Sequence, residues 1–340
     1  MYRPNCSASP QGVPQNIRPV IIEGVTSQRC RDVFKTASSK RFLVLGDLML
    51  DEFVWGKVSR ISPEAPVPVV HVTGESSWFP GGAANVARNL REFAGNVAVA
   101  GVVGADAAGE RLLGLLSETG IDVAHVQRDP TWATIVKTRI IARHQQIVRV
   151  DRERSRGPFA GGVDGFEGAD AIVVADYGKG AITQTVADQL CDLARQHHII
   201  LAVDPNPGNP VHWKHVTVIK PNRAEAFRAA GIADDDKEIE AVGRQLLERS
   251  NAELLLLTLG EEGMMLFEHG KPAYHTPTRA REVFDVSGAG DTAIAVLTAA
   301  LTGGASPTEA AEIANAAAGI VVGKLGTAAV TLEELAASFA

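Results

Sequence analysis

The chain has 340 residues, 45% of them apolar and 21% charged, which suffices for a large core and excludes a disordered or fibrous protein. Its net charge of −7 argues against a nucleic-acid or anionic-membrane partner, because such partners are held by basic surface. Cys6, Cys30 and Cys191 form no CxxC pair and read as reduced thiols of a cytoplasmic protein.

Residues 1 to about 40 read as a disordered tail. Pro4, Pro10, Pro14 and Pro19 are scattered among Ser, Gln and Asn, and a dispensable segment without core-forming pattern is expected there. The N-terminus shows no signal-peptide h-region, and the apolar stretch from Thr292 to Thr302 is too short to span a bilayer.

From residue 41 to 340 the pattern is that of one α/β domain. Phe42–Gly46, Val97–Val103, Ala171–Ala175, Ile199–Val203, Val216–Ile219 and Leu254–Thr258 are short apolar runs, with helical spacing between them. Strands apolar throughout and alternating with helices predict a mostly parallel central sheet with helices on both faces. Val67–Val72 carries Pro68 and suits an edge strand, while Gly82–Ala94 has helical spacing. Segments 52–73 and 131–151 are rich in Val, Ile, Thr and Trp and predict a small β lid inserted into the domain. Residues 155–167 read as a Gly-rich surface loop.

Two Gly-rich segments carry chemistry. Asp285-Val-Ser-Gly-Ala-Gly-Asp291 precedes an apolar helical run. Small residues at a helix start let backbone N–H groups converge on an anion, and the helix dipole assists. A carboxylate beside a bound phosphate makes sense if a substrate hydroxyl lies between them and must lose its proton. Asp291 is therefore the candidate general base, with its pKa expected to be low beside the N–H groups. An ordinary first-turn Asp is the competing reading. Pro80-Gly-Gly-Ala-Ala-Asn85 opens the other helix and is a weaker signal. No GxxxxGK[ST], no GxGxxG after the first strand and no HExxH occurs.

Together these segments resemble the PfkB family of carbohydrate kinases, the ribokinase-like fold, over roughly residues 41 to 335. Gly81-Gly-Ala-Ala-Asn85 and Asp285–Asp291 match its two signatures. Lys220-Pro-Asn222-Arg-Ala-Glu225 and Thr258-Leu-Gly260 match its phosphate and nucleotide motifs. Gly46–Asp51, Ser59–Val70, Gln145–Asp151 and Ala175-Asp-Tyr-Gly-Lys-Gly180 are similar to the branch that phosphorylates D-glycero-β-D-manno-heptose 7-phosphate on its anomeric hydroxyl, for lipopolysaccharide precursors. The chain carries no HxGH motif, so the resemblance is to the stand-alone kinase, with adenylylation left to another protein.

What the resemblance implies can be stated residue by residue. Asp291 is the base, and Gly288, Ala289 and Gly290 form the anion hole. Asp51, Gly81, Gly82, Asn85 and Asp176 line the sugar, with Lys179 first and Arg88 second as partners of its 7-phosphate. Lys220 and Asn222 lie near the ATP phosphates, Glu225 holds Mg2+ through water, and Thr258, Gly260, Asn315 and Gly326 surround the adenine. A monovalent cation (K+) near the anion hole belongs to the same expectation. Asn206 stands where relatives often have Lys. The apolar lid strands point to a homodimer through the lids. Two alternatives stay open: a kinase for another sugar or sugar phosphate, of ribokinase or fructokinase type, and a regulator that binds sugar or nucleotide without turnover.

Overall fold

The computed structural model describes residues 24–142, 145–153, 163, 165–280, 283–324 and 328–340. In chain order the described elements begin with α1 (Ser27–Ala37), β1 (Arg41–Gly46), β2 (Leu48–Ile61), β3 (Pro68–Val72), β4 (Ser77–Gly82), α2 (Ala83–Arg91), β5 (Asn96–Gly104) and α3 (Ala107–Glu118). Next come β6 (Asp122–Asp129), β7 (Ile135–Ala142), β8 (Gln145–Arg152), β9 (Ala171–Ala175), α4 (Gln184–His197), β10 (Ile200–Asp204) and β11 (Val218–Ile219). The chain continues through α5 (Arg223–Ala230), α6 (Ile239–Ser250), β12 (Leu254–Thr258), β13 (Met264–Glu268), β14 (Tyr274–Thr276), α7 (Ala289–Thr302), α8 (Pro307–Val321) and α9 (Leu332–Ala337).

The main sheet runs β14-β13-β12-β11-β10-β9-β1-β5-β6. All neighbours from β12 to β6 pair parallel, and only β13 and β14 are antiparallel. Alternation along β1 explains why the run Phe-Leu-Val-Leu has no polar face. Phe42 and Val44 join the core under α1, α2, α3, α7, α8 and α9, while Leu43 and Leu45 join the core under α4, α5 and α6. Helix α7 has Thr292 to Ala300 buried all round, which is what an apolar helix without a polar face must do.

The second sheet orders β3-β2-β7-β8, with β4 also on β2. Strand β2 has 14 residues and leaves the main body partway. Leu48–Phe53 pairs β4, and Gly56–Ile61 pairs β3. Its other edge runs parallel to β7.

Part of the expected tail is structured. Residues 1–23 lie outside the described residues, but Ser27–Ala37 is a helix whose Cys30, Val33, Phe34 and Ala37 are buried. Thr26 caps it by accepting from Arg29 N at 3.1 Å, the Phe34 and Phe93 rings lie 4.3 Å apart, and Arg29 pairs with Glu309 at 2.7 Å. The apolar positions recur at i, i+3, i+4 and i+7, so the helix has its own sequence signal, overshadowed by the Pro-rich residues before it.

Candidate active site

The parallel strands of the main sheet deliver their polar residues to one edge. Asp47 follows β1, Asp176 follows β9, Asp204 ends β10, Lys220 follows β11 and Thr258 ends β12. Ligands of open parallel sheets gather outside these carboxyl ends, and helices α2 and α7 start beside them.

The turn before α7 is shaped for an anion. Gly288 is the N-cap at φ 81°, a left-handed position that favours glycine. Among the described residues the N–H groups of Gly288, Gly290 and Asp291 have no hydrogen-bond partner. Ala289 differs from expectation: its N–H donates to Val286 O at 3.3 Å, a long bond for which a ligand must compete. The position a Cβ would take on Gly290 is 3.5 Å from Lys220 Nζ. An ammonium and several free N–H groups therefore face one small volume.

Asp291 is 7% exposed. Asn85 Nδ2 donates to its Oδ2 at 2.8 Å, and the Tyr177 hydroxyl donates to its Oδ1. Burial pushes the Asp291 carboxyl above its ordinary pKa, and the bonds from Asn85 and Tyr177 and the charge of Lys220 only partly offset this. The expected low pKa is thereby corrected. The N–H groups of the turn favour the charged form, but the desolvation that an apolar helix imposes on its first carboxylate outweighs them.

Beside the first glycine motif, Asp51 is buried against Arg139, with Nη1 2.5 Å from Oδ1. Burial raises the Asp51 carboxyl, opposed by Arg139, Lys137 and Arg149. A Cβ on Gly81 would sit 2.6 Å from Asp51 Oδ2, so the first Gly motif lies directly on this carboxylate. Gly82, at φ 58°, starts α2. Lys179 is engaged by Glu153 at 2.8 Å. Glu153 also lies 3.8 Å from Lys137, which contacts Asp151 at 3.3 Å, and Asp151 accepts from Arg149 at 2.8 Å. Arg88 stacks over Phe79 at 5.9 Å. Asp176 braces its loop, accepting from Gly178 N at 2.8 Å and Asn209 Nδ2 at 2.9 Å, and burial pushes it up to about 6.

At the ends of β10 and β11, Lys220 lies 3.0 Å from Asp204. Asn222 and Glu225 form the capping box of α5: Asn222 Oδ1 accepts from Glu225 N at 2.9 Å and Glu225 Oε2 accepts from Asn222 N at 2.8 Å. Glu225 Oε1 has no partner among the described residues, so one oxygen remains for a water. A cavity of about 490 Å³ opens beside Gly290, lined by Thr258, Gly260, Val286, Asn315 and Val322 among others. Its mostly small and apolar walls suit a nucleobase. Asn315 faces it, but its amide is spent on Thr276 Oγ1 at 3.0 Å and Pro277 O at 2.6 Å. Gly326 lies outside the described residues. Asn206 Oδ1 accepts from Gly208 N at 2.8 Å. Among the described residues no group of three His, Cys, Asp or Glu could hold a metal alone.

Sequence reasoning did not single out Asp47, Arg139, Tyr177 or Asp204. Tyr177 stands within a quoted motif, and Asp204 ends an apolar strand, a signal the strand pattern contains. Arg139 lies within β7 of the second sheet without any local mark.

A profile described as pfkB family carbohydrate kinase matches residues 40–334. The bifunctional protein HldE of Geobacter sulfurreducens is 46% identical over 318 residues, 90% of this chain and 64% of that protein. HldE of Nitrosococcus oceani is 43% identical, over 88% and 63%. The chain thus spans slightly less than two thirds of these relatives' length. Among solved structures, Arabidopsis thaliana ribokinase complexed with ribose and ATP aligns at TM-score 0.71 and 18% identity, covering 88% of this chain and 99% of that one. Escherichia coli phosphofructokinase-2 in complex with potassium aligns at 0.70 and 18%, covering 88% and 98%. At these identities the structural likeness speaks for the ribokinase-like fold. With its profile match over most of its length, the chain belongs to the pfkB family of carbohydrate kinases.

Proposed function

We propose that the chain transfers the γ-phosphate of Mg·ATP to the anomeric hydroxyl of D-glycero-β-D-manno-heptose 7-phosphate, giving the 1,7-bisphosphate for lipopolysaccharide precursors in the cytoplasm. The observation that carries the transfer is buried Asp291 directly after the Gly288–Gly290 turn, with Lys220 beside that turn. The hydroxyl oxygen bonds to the γ-phosphorus, the bond to the ADP oxygen breaks, and the hydroxyl proton passes to Asp291. The free N–H groups and Lys220 meet the charge on the transferring group. Mg2+, when bound with ATP, neutralises phosphate charge, and Glu225 Oε1 would reach it through water. A base whose pKa is raised by burial accepts the proton more readily than an exposed Asp.

The substrate half rests on the resemblance in the lid and 175–180 segments and on charge. Lys137, Arg139, Arg149 and Lys179 face Asp51, Asp151 and Glu153. With Asp47 beside Lys179 as well, four cations meet four carboxylates, and a sugar phosphate would compete with those carboxylates for Lys137, Arg149 and Lys179. The exposed Ile61, Val67, Val72, Val148 and Val150 on or beside the lid strands support a homodimer through the lids, which size-exclusion chromatography checks.

A coupled ADP-release assay over heptose 7-phosphate, fructose 6-phosphate, fructose and ribose tests the reading. The highest kcat/KM is expected on heptose 7-phosphate. Preference for an unphosphorylated sugar sinks the substrate half and leaves the kinase.

A further inference from the structure

Both oxygens of Asp291 carry a donor: Oδ2 takes Asn85, and Oδ1 takes the Tyr177 hydroxyl. Tyr177 is itself fixed. Its N–H donates to Asp47 Oδ2 at 2.8 Å, and the N–H groups of Lys179 and Ala181 donate to the same carboxylate at 3.0 Å and 2.9 Å. One side chain at the end of β1 therefore sets the loop that carries the phenol. The Tyr177 ring packs against the core that holds α2 and α7.

We propose that Tyr177 is a positioning residue that holds the Asp291 carboxylate in place as proton acceptor for the sugar hydroxyl. The inference rests on Asp291 being the base. A carboxylate has about four lone-pair sites, so two donors leave room for the incoming hydroxyl. Its terminal torsion is otherwise broad, and two donors on different elements fix it. The charged form is also at stake. Burial, Asp51 on β2 and Asp204 on β10 all oppose ionisation of Asp291 or of its surroundings, whereas Lys220 after β11 favours it. Tyr177 is the one hydroxyl donor to Asp291 among the described residues. Burial and the carboxylates of Asp291, Asp204 and Asp51 push the phenol well above its ordinary pKa, so it stays a donor.

Tyr177→Phe removes the hydroxyl alone. The acid limb of kcat/KM should move up by about one pH unit. The rate below that limb should fall about tenfold and recover above it, with KM for ATP unchanged. A limb that stays in place overturns the proposal, whether the rate falls at every pH or at none. A second measurement needs neither turnover nor a folded variant at position 177. The chain has three tyrosines, Tyr2, Tyr177 and Tyr274, and 3-fluorotyrosine labels them all. One fluorine resonance should follow the Asp291 titration in the parent and become flat in Asp291→Asn. Absence of any such resonance overturns the proposal. If the resonance titrates while Asp291→Asn keeps parental turnover, the contact stands and the base assignment falls.

Discussion

Asn85 of α2 reaches Asp291 of α7 across 2.8 Å, and Thr292 Oγ1, from the next residue of α7, donates at 3.0 Å to Asn89 Oδ1, one turn further along α2. All four side chains are buried. Two polar bridges inside an otherwise apolar helix pair fix its register, because a slip would strand buried donors and acceptors. The helix that starts at the Gly81-Gly82 turn is thereby locked to the helix that carries Asp291. An amide partner also leaves Asp291 more basic than a cationic partner at that distance would.

Replacement of Asp291 by Asn should keep ATP binding and lower turnover by about 10²–10⁴-fold, the usual worth of a positioned base. ADP release and calorimetric ATP titration check the two parts. Turnover within tenfold of the parent would falsify the base assignment.

Helix α1 should be needed for folding. Phe34 is 1% exposed and packed against Phe93, so Phe34→Ala should cost about 3–5 kcal/mol. Urea unfolding of the parent and variant measures it. A loss under about 1 kcal/mol would mean that α1 is docked without contributing to stability.

The fold was legible because its signals are local and redundant. Each central strand is an apolar run, and the glycine motifs mark the starts of α2 and α7. The site was legible only where chemistry left a mark in the chain, as in Asp291 after its Gly-rich turn. Arg139 could not be found that way. It reaches Asp51 because β2 and β7 pair in parallel, with Asp51 opposite Lys137 and Phe53 opposite Arg139, a register that exists only in the folded second sheet. The capping box of Asn222 and Glu225 shows the converse. Asn followed three residues later by Glu is also a helix-start signature, and the resemblance hid that reading.

Asp176 should make stability fall as pH rises through about 6. Its folded pKa is raised from 3.8 to about 6 by burial, so folding favours the neutral form. That contribution is complete below the unfolded value and is lost as pH rises through the folded one. A shift of about two units corresponds to about 3 kcal/mol at most. Asp176→Asn, a neutral isostere, should therefore gain on the parent between acidic and neutral pH. Parallel stability profiles for the two proteins would remove Asp176 as the source.

Lys179→Ala should weaken binding of the phosphorylated sugar far more than binding of ATP. Lys179 follows β9, at the carboxyl edge where ligands of parallel sheets collect. Its backbone N–H is held by Asp47 at 3.0 Å, so truncating the side chain leaves the loop pinned. Its ammonium rests on Glu153 at 2.8 Å. A sugar phosphate must displace that carboxylate or join it, and charge-assisted hydrogen bonds of this kind are worth about 1.5–3 kcal/mol each. Partial exposure of the lysine places the loss at the lower end, roughly a tenfold rise in KM for the sugar phosphate. Glu153→Gln separates the competing explanations. If Glu153 competes with the phosphate for Lys179 and Lys137, neutralising it should lower that KM while leaving ATP unaffected. If Lys179 serves ATP instead, its loss raises KM for ATP and leaves the sugar's unchanged. If the pair is a surface ion pair with no ligand, neither variant moves either constant.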